Sequence, residues 1–332
     1  MMKKLLLIVV ALFCWGVAAH AQVFFQNTMY QYAQFAYNPA SAGVSGPGLI
    51  EGANISFLGR LQWLGFEGAP QTSALSFHSP LKAGYGAAGI LAIADQIGPF
   101  SNVYLQGAYG YDFGLFDDNL TLRIGVGGGI RQISLDPSGF LAPDDGDVVI
   151  TGSQQSTIVE ALSAGIYLTG FDERLFVSLA GQNLTDPSID AITGGIDRDN
   201  VASIGSRTFT AAAGYTFNLN DKMTLQPSAM MITDFSQTPQ LNMSLIWGYS
   251  PLLVGLNYRG NLAAESIGGI IGVNLSGNTF LGYSYDFPLS DLNNNTDINT
   301  HEVILSYTFS DLFGSNRSRD QDDPIKNGGI GL

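Results

Sequence analysis

Cysteine is almost missing from this chain, and the single one, Cys14, lies in a hydrophobic leader rather than in the body of the sequence. Disulfide frameworks and cysteine metal sites are therefore excluded. Charge is scarce as well, at 13% of residues, and what there is leans acidic, with 28 Asp and Glu against 14 Lys and Arg. Such a balance gives nucleic acid no row of cations to bind. Histidine is rare too: beyond the leader only His78 and His301 remain, far apart and without the spacing of a metal site. No nucleophile–base pair accompanies them, so neither an enzyme nor a cofactor is expected. After the leader no apolar run of about 18 or more residues occurs, which excludes helical membrane spans.

The leader itself is plain. Lys3 and Lys4 precede the apolar stretch Leu5 to Val17, and Ala19-His20-Ala21 supplies a small-x-small cleavage pattern. Residues 1–21 thus read as a signal peptide cut near Ala21-Gln22, with an uncleaved anchor disfavoured by the short core. Cys14 has no lipobox before it, so lipoprotein processing is not expected. Removal of Lys3 and Lys4 leaves 12 basic groups against 28 acidic ones, a balance of −16.

Glycine, by contrast, is abundant at 41 residues, and aromatics make up 11%. The rest of the chain alternates with period two. In Leu120 to Gly129, Leu120, Leu122, Ile124 and Val126 alternate with Thr121, Arg123, Gly125 and Gly127. Leu252 to Arg259 and Phe280 to Phe287 behave likewise, with Asn257, Arg259, Ser284 and Asp286 on the polar face. An apolar outer face, a small or polar inner one and strands of roughly 9–13 residues suit a tilted membrane crossing better than a soluble sandwich. Short turns at Gly114 to Asn119, Thr169 to Arg174, Asn218 to Lys222 and Leu275 to Asn278 alternate with long loops at Ser134 to Ser156, Asn183 to Ser206 and Pro288 to Thr300. The expected fold is all-β: one transmembrane antiparallel β-barrel of about 14 strands over residues 49–309, in contact with outer-membrane lipid. Its first strands are placed at Leu49–Leu58 and Gln71–Ser79. Residues 22–48 lack alternation and form a periplasmic or lumenal segment, and residues 310–332 read as a flexible periplasmic tail.

Other chemistry is thin. Gly127-Gly128-Gly129 has neither the helix nor the Lys-Ser/Thr of a phosphate loop. Asp144, Asp145 and Asp147 supply too few oxygen ligands for calcium and read as a solvated loop. Arg123, Arg259 and Asp286 face the lumen. There the arginines either tune conductance or, the preferred reading, pair with acids such as Asp112 or Asp286. His301 and Glu302 point to opposite faces of one strand.

One stretch does not fit a hairpin turn. "GRLQWLGFEGAPQTSALSFHSPL" sets Trp63, Phe66 and Glu67 among glycines. With "QYAQFAYNPASAGVSG" upstream, it resembles the PorP/SprF family of outer-membrane proteins of the type IX secretion system of Bacteroidota. An Asn-Pro-Ala-x-Ala-Gly-like segment is matched by Asn38, Pro39, Ala40, Ala42 and Gly43. The Trp-centred block is matched by Arg60, Gln62, Trp63, Gly65, Phe66, Gly68, Ala69 and Pro70. Leu256 to Gly260, Tyr283 to Phe287 and Thr300 to Phe309 look like the closing strands, although Thr300 stands where Ser is more usual before His301-Glu302.

The resemblance implies an outer-membrane accessory barrel that binds, helps secrete or anchors a partner at the cell surface. That partner would be a gliding adhesin or another cargo with a type B C-terminal sorting domain. For some members it implies links to periplasmic secretion components and peptidoglycan-binding proteins; a solute channel is the alternative. Asn38, Pro39, Arg60, Gln62, Trp63, Gly65, Phe66, Glu67, Gly68, Pro70, His301 and Glu302 are candidates either for partner binding or for the seam where the first and last strands pair.

Overall fold

The computed structural model describes residues 25–47, 52–82, 85–116, 119–136, 155–185, 207–235, 238–260, 264–289 and 299–310. The leader, the acidic stretch around Asp144, most of the three long loops and nearly all of the tail lie outside these residues.

Fourteen antiparallel strands close on themselves. In chain order they are β1 (Ala53–Leu64), β2 (Gln71–Pro80), β3 (Ala87–Ile97), β4 (Phe100–Leu115), β5 (Leu120–Leu135), β6 (Gln155–Gly170) and β7 (Leu175–Gln182). β8 is Thr208–Tyr215, continued after a break by Phe217–Asn218. Then follow β9 (Met223–Thr233), β10 (Gln240–Tyr249), β11 (Leu252–Gly260), β12 (Ala264–Leu275), β13 (Thr279–Pro288) and β14 (Asn299–Phe309). Each strand pairs with the next in sequence, and β14 returns to β1, with Ala53 opposite Phe309 and Arg60 opposite Glu302. Closure removes the sheet edges that lipid could not satisfy. Among the described residues no helix is long and apolar enough to cross a membrane; the crossings are strands.

The period-two pattern sorts the side chains as the sequence predicts. Ile124, Val126, Val254, Leu256, Leu281 and Phe287 are exposed on the outer surface. Arg123, Asn257, Arg259, Ser284 and Asp286 are buried inside. Both chain ends of the barrel, Ala53 and Phe309, lie at one end, together with the tight turns at Phe171 to Arg174, Leu219 to Lys222 and Ser276 to Asn278. By the usual polarity of such barrels this end faces the periplasm.

Two expectations change. The first strand begins at Ala53 and runs to Leu64, not Leu49 to Leu58, so Arg60, Gln62 and Trp63 are strand residues and only the stretch after Leu64 turns. Pairing with β14 decides this, because it extends alternation past Leu58 into a segment whose sequence reads as a turn. The lumen is also not simply small and polar. Leu58, Leu91, Ile246, Leu253, Ile270, Phe280 and Ile304 are buried in a core with Met29, Tyr30, Tyr32, Phe35 and Tyr37 of the N-terminal segment.

Candidate functional site

Residues 25–47 occupy the barrel interior. Their backbone forms three single-turn 3-10 helices, Tyr30–Tyr32, Gln34–Ala36 and Pro39–Ser41. Pieces so short do not persist alone, and packing holds them. Tyr30 is 1% exposed and Met29 is fully buried. Tyr32 stacks on Phe280 with ring centroids 3.9 Å apart, and Phe35 lies 5.1 Å from the His78 ring. The Tyr30 hydroxyl donates to Ser228 Oγ at 2.8 Å, and Gln182 Nε2 donates to the Ala36 carbonyl at 2.7 Å. Gly43 N donates to His78 Nδ1 at 3.1 Å, so that nitrogen carries no proton.

One end of the segment is latched by buried charges from four strands. Glu302 on β14 is fully buried and accepts the backbone N–H groups of Thr28 and Met29 at 2.8 and 2.9 Å, one on each oxygen. Arg60 on β1, directly opposite Glu302, reaches it at 2.9 Å and Asp286 on β13 at 3.2 Å. Arg259 on β11 reaches Asp286 at 3.3 Å and is oriented by Asn242, which accepts from its Nε at 3.0 Å. The Thr28 hydroxyl completes the set. It donates to Asp286 Oδ2 at 2.7 Å and accepts from Arg259 at 2.6 Å and Arg60 at 3.1 Å. That uses the one donor and two acceptor positions of a hydroxyl. Two cations face two anions, so the cluster is charge-balanced in a site from which water is largely excluded. A balanced buried cluster adds little net stability compared with apolar packing, yet breaking it by one partner is costly. It therefore fixes where Thr28 sits.

Asn38 and Pro39 hold a second point. Asn38 Oδ1 caps the last 3-10 helix by accepting from Ala40 N at 2.8 Å, and Pro39 occupies the first helical position. Asn38 Nδ2 donates to Ser178 Oγ at 2.8 Å and to the Ile166 carbonyl at 2.9 Å. Here the wall is dented: a Cβ on Gly165 would collide with Asn38 and one on Gly125 with Ala40. Nearer the terminal end Arg123 pairs with Asp112 across β4 and β5 and donates to the Ala42 carbonyl. What remains of the lumen there is a cavity of about 470 Å³ between Gly43–Pro47 and the wall around Thr169, Phe176 and Thr224.

The Trp-centred block lies at the opposite end, on the seam. Between Leu61 and Leu64 the pairing of β1 with β14 slips, and Trp63 takes a left-handed backbone with φ 54°. This is a β-bulge, which twists and re-aims a strand end. Trp63 N donates to Thr300 Oγ1 at 3.3 Å, and Gln62 N donates to the Pro70 carbonyl at 2.9 Å. Gly65 and Gly68 carry φ of 100° and 74°, and the Gly68 carbonyl accepts from Gly98 N of the next turn at 2.9 Å. Phe66 is 58% exposed and Glu67 is exposed beside it. His301 faces outward, its Nδ1 2.8 Å from the Tyr283 hydroxyl, away from its neighbour Glu302. The structure thus joins Arg60, Arg259, Asp286 and Glu302 into one cluster and leaves Trp63 to Pro70 and His301 outside it. Sequence reasoning missed Thr28, and with it the use of the aromatic run Tyr30 to Tyr37. The available signal was the set of apolar residues at inward strand positions, such as Phe280 and Ile304, which need a partner in the lumen.

Fold and site together define an outer-membrane β-barrel whose lumen is crossed by its own latched N-terminal segment. The profile of the type IX secretion system membrane proteins PorP/SprF matches residues 19–307, and the chain belongs to that family. No curated protein matches it. Among solved structures it is similar to the outer membrane protein Omp33 of Acinetobacter baumannii, with 12% identity and a TM-score of 0.45 over 79% of this chain and 100% of that one. A Rhodopseudomonas blastica porin mutant shows 11% identity and a TM-score of 0.32 over 78% and 99%. The KdgM porin shows 8% identity and 0.34 over 77% and 99%. The barrel rests on its own strand pairing, and the family and fold are those of a membrane component of a secretion system.

Proposed function

We propose that this protein is a non-catalytic partner-binding barrel of the type IX secretion system, which helps secrete or anchors one protein at the cell surface. The partner class is a gliding adhesin or other cargo bearing a type B C-terminal sorting domain. The observation that carries this reading over a solute channel is the segment that crosses the lumen. Residues 25–47 lie across it, latched through Thr28 to Arg60, Arg259, Asp286 and Glu302. A conducting pore needs polar, water-filled space at that level, whereas a plugged barrel presents a rigid wall and rim on which a partner can dock. The exposed Phe66, beside Trp63 at the bulge, is the kind of aromatic anchor that interfaces favour.

Affinity purification from the native outer membrane tests the reading. The expected result is stoichiometric recovery of one secreted protein, lost when its C-terminal domain is removed. A barrel recovered alone that also conducts ions steadily in planar bilayers would overturn it.

A further inference from the structure

Four arginines are buried in the described part of the barrel wall, and three of them touch carboxylates. Arg60 and Arg259 share Asp286, Arg60 also meets Glu302, and Arg123 meets Asp112. The fourth, Arg131 on β5, is different. It is 7% exposed, and its one hydrogen bond among the described residues runs from Nε to Asn102 Oδ1 at 2.7 Å. No described carboxylate lies within ion-pair distance of it. Asp95, on the next inward row, already accepts from Thr72 at 2.5 Å and acts on Arg131 only at longer range. Directly opposite Arg131 in the β4–β5 ladder stands Tyr104, also 7% exposed, whose hydroxyl lies near Ser163 but makes no hydrogen bond of good geometry.

Arg131 is thus buried with only the more distant Asp95 as counter-charge, and a buried cation without a carboxylate in contact is costly to keep. Every other buried arginine among the described residues touches a carboxylate, so the exception marks a place where fold economy yields to another demand. The pair lies within four residues of Leu135, toward the end of β5 remote from the chain termini. Residues 25–47 send no hydrogen bond to it. In a chain with a formal charge of −14, a lumenal cation with no described carboxylate in ion-pair contact also stands out as a local anion attractor.

We propose that Arg131 and Tyr104 form a subsite for a side-chain carboxylate of the protein partner, presented at the outer mouth of the barrel. The free edge of the guanidinium receives the two carboxylate oxygens in fork geometry. The Tyr104 hydroxyl donates to one of them, and Asn102 holds Nε so that the fork stays oriented. This inference rests on the partner-binding reading above and names the chemistry by which the outer rim would select an acidic segment.

Purified full-length protein in detergent provides the test, with the thermal unfolding midpoint followed against N-acetyl-aspartate methylamide. N-acetyl-asparagine methylamide and inorganic phosphate serve as comparison probes. A ligand that binds only the folded state raises the midpoint saturably. The expected result is such a rise with the aspartate probe and none with the asparagine probe. Arg131→Gln should weaken the apparent affinity about tenfold or more, and Arg131→Lys, which keeps charge without the fork, should fall between. Tyr104→Phe preserves shape and should weaken binding by a smaller factor, which keeps the test decisive should Arg131→Gln fail to fold. No saturable shift, or an equal shift in Arg131→Gln, overturns the proposal. Saturation by phosphate but not by the aspartate probe overturns it as well, in favour of an inorganic-anion site. Wild-type protein that binds the aspartate probe yet recovers no partner from native membranes supports the subsite while sinking the partner-binding reading.

Discussion

Glu302 is almost saturated as an acceptor. Its two oxygens accept two backbone N–H groups and an arginine, three of the roughly four acceptor positions of a carboxylate. Glu302→Ala leaves Arg60 short of a counterion and two buried N–H groups unpaired, which should cost about 3–5 kcal/mol. Urea unfolding in detergent would read that loss. The double variant Arg60→Met with Glu302→Ala should cost less than the sum of its parts, because it removes charge of both signs together. Strict additivity would mean that the two side chains do not act as a pair. Gly165 is limited by space rather than charge. Gly165→Ala puts a methyl where Asn38 sits, so the outcome expected is release of the Asn38 cap with the barrel intact. Faster hydrogen exchange at Ala40 N than in the wild type would report it, and unchanged exchange would show that the segment shifts without losing the bond.

At the level of elements, strands and plug differ in how far the sequence discloses them. The strands were legible because alternation is local: Ile124 and Val126 outward, Arg123 and Gly125 inward, each decided by its neighbours two residues away. Arg60, Arg259, Asp286 and Glu302 were each readable as inward or motif residues. Their meeting was not, because it depends on register around the whole ring and on Thr28, 274 residues from Glu302 in sequence. The plug carries no period to read, since its short 3-10 turns take their support from distant strands. Trp63 was misplaced in a turn for a related reason, as a bulge is defined only by the partner strand. A plug held by packing, by the charge cluster at Thr28 and by hydrogen bonds such as those of Asn38 is separable in principle from the wall that holds it. Deleting residues 25–47 should leave a heat-modifiable barrel with ion conductance that the full chain lacks, measured in planar bilayers. Equal conductance in both would mean that the segment does not block the lumen. Alkali should act on the same element. Burial raises the pKa of the Tyr30, Tyr32 and Tyr37 hydroxyls above the ordinary value. Their stabilising contribution is therefore complete below the unfolded value of about 10 and declines above it as pH rises. Plug protection in hydrogen exchange should fall in that alkaline range.

Closure is a property of the whole molecule and can be tested as one. The seam brings together residues about 250 positions apart, and Ser56 Oγ lies 2.5 Å from Ser306 Oγ across it. The two are register partners on neighbouring strands, and both side chains are buried on the lumen side. Only Cys14 exists in the full sequence, so in protein with Cys14 removed or cleaved off, a pair of introduced cysteines has no competing thiol. Ser56→Cys with Ser306→Cys should oxidise to a single internal disulfide, because directly opposed strand residues place Cβ atoms within the range a disulfide spans. On a denaturing gel the cross-linked chain, closed into a loop of about 250 residues, should migrate differently from its reduced form. Moving one cysteine a single position, to Phe57, turns that side chain to the outer face and should abolish the bond, since one step in a strand reverses its direction. Failure of the first pair, or equal success of both, would contradict the seam on which Arg60, Glu302 and the Trp63 bulge all depend. The same cross-link separates two roles of the signature motif. If Trp63→Ala with Phe66→Ala leaves the Ser56→Cys/Ser306→Cys bond forming normally but abolishes partner recovery, the motif acts at the surface; if the bond no longer forms, the motif acts by closing the barrel.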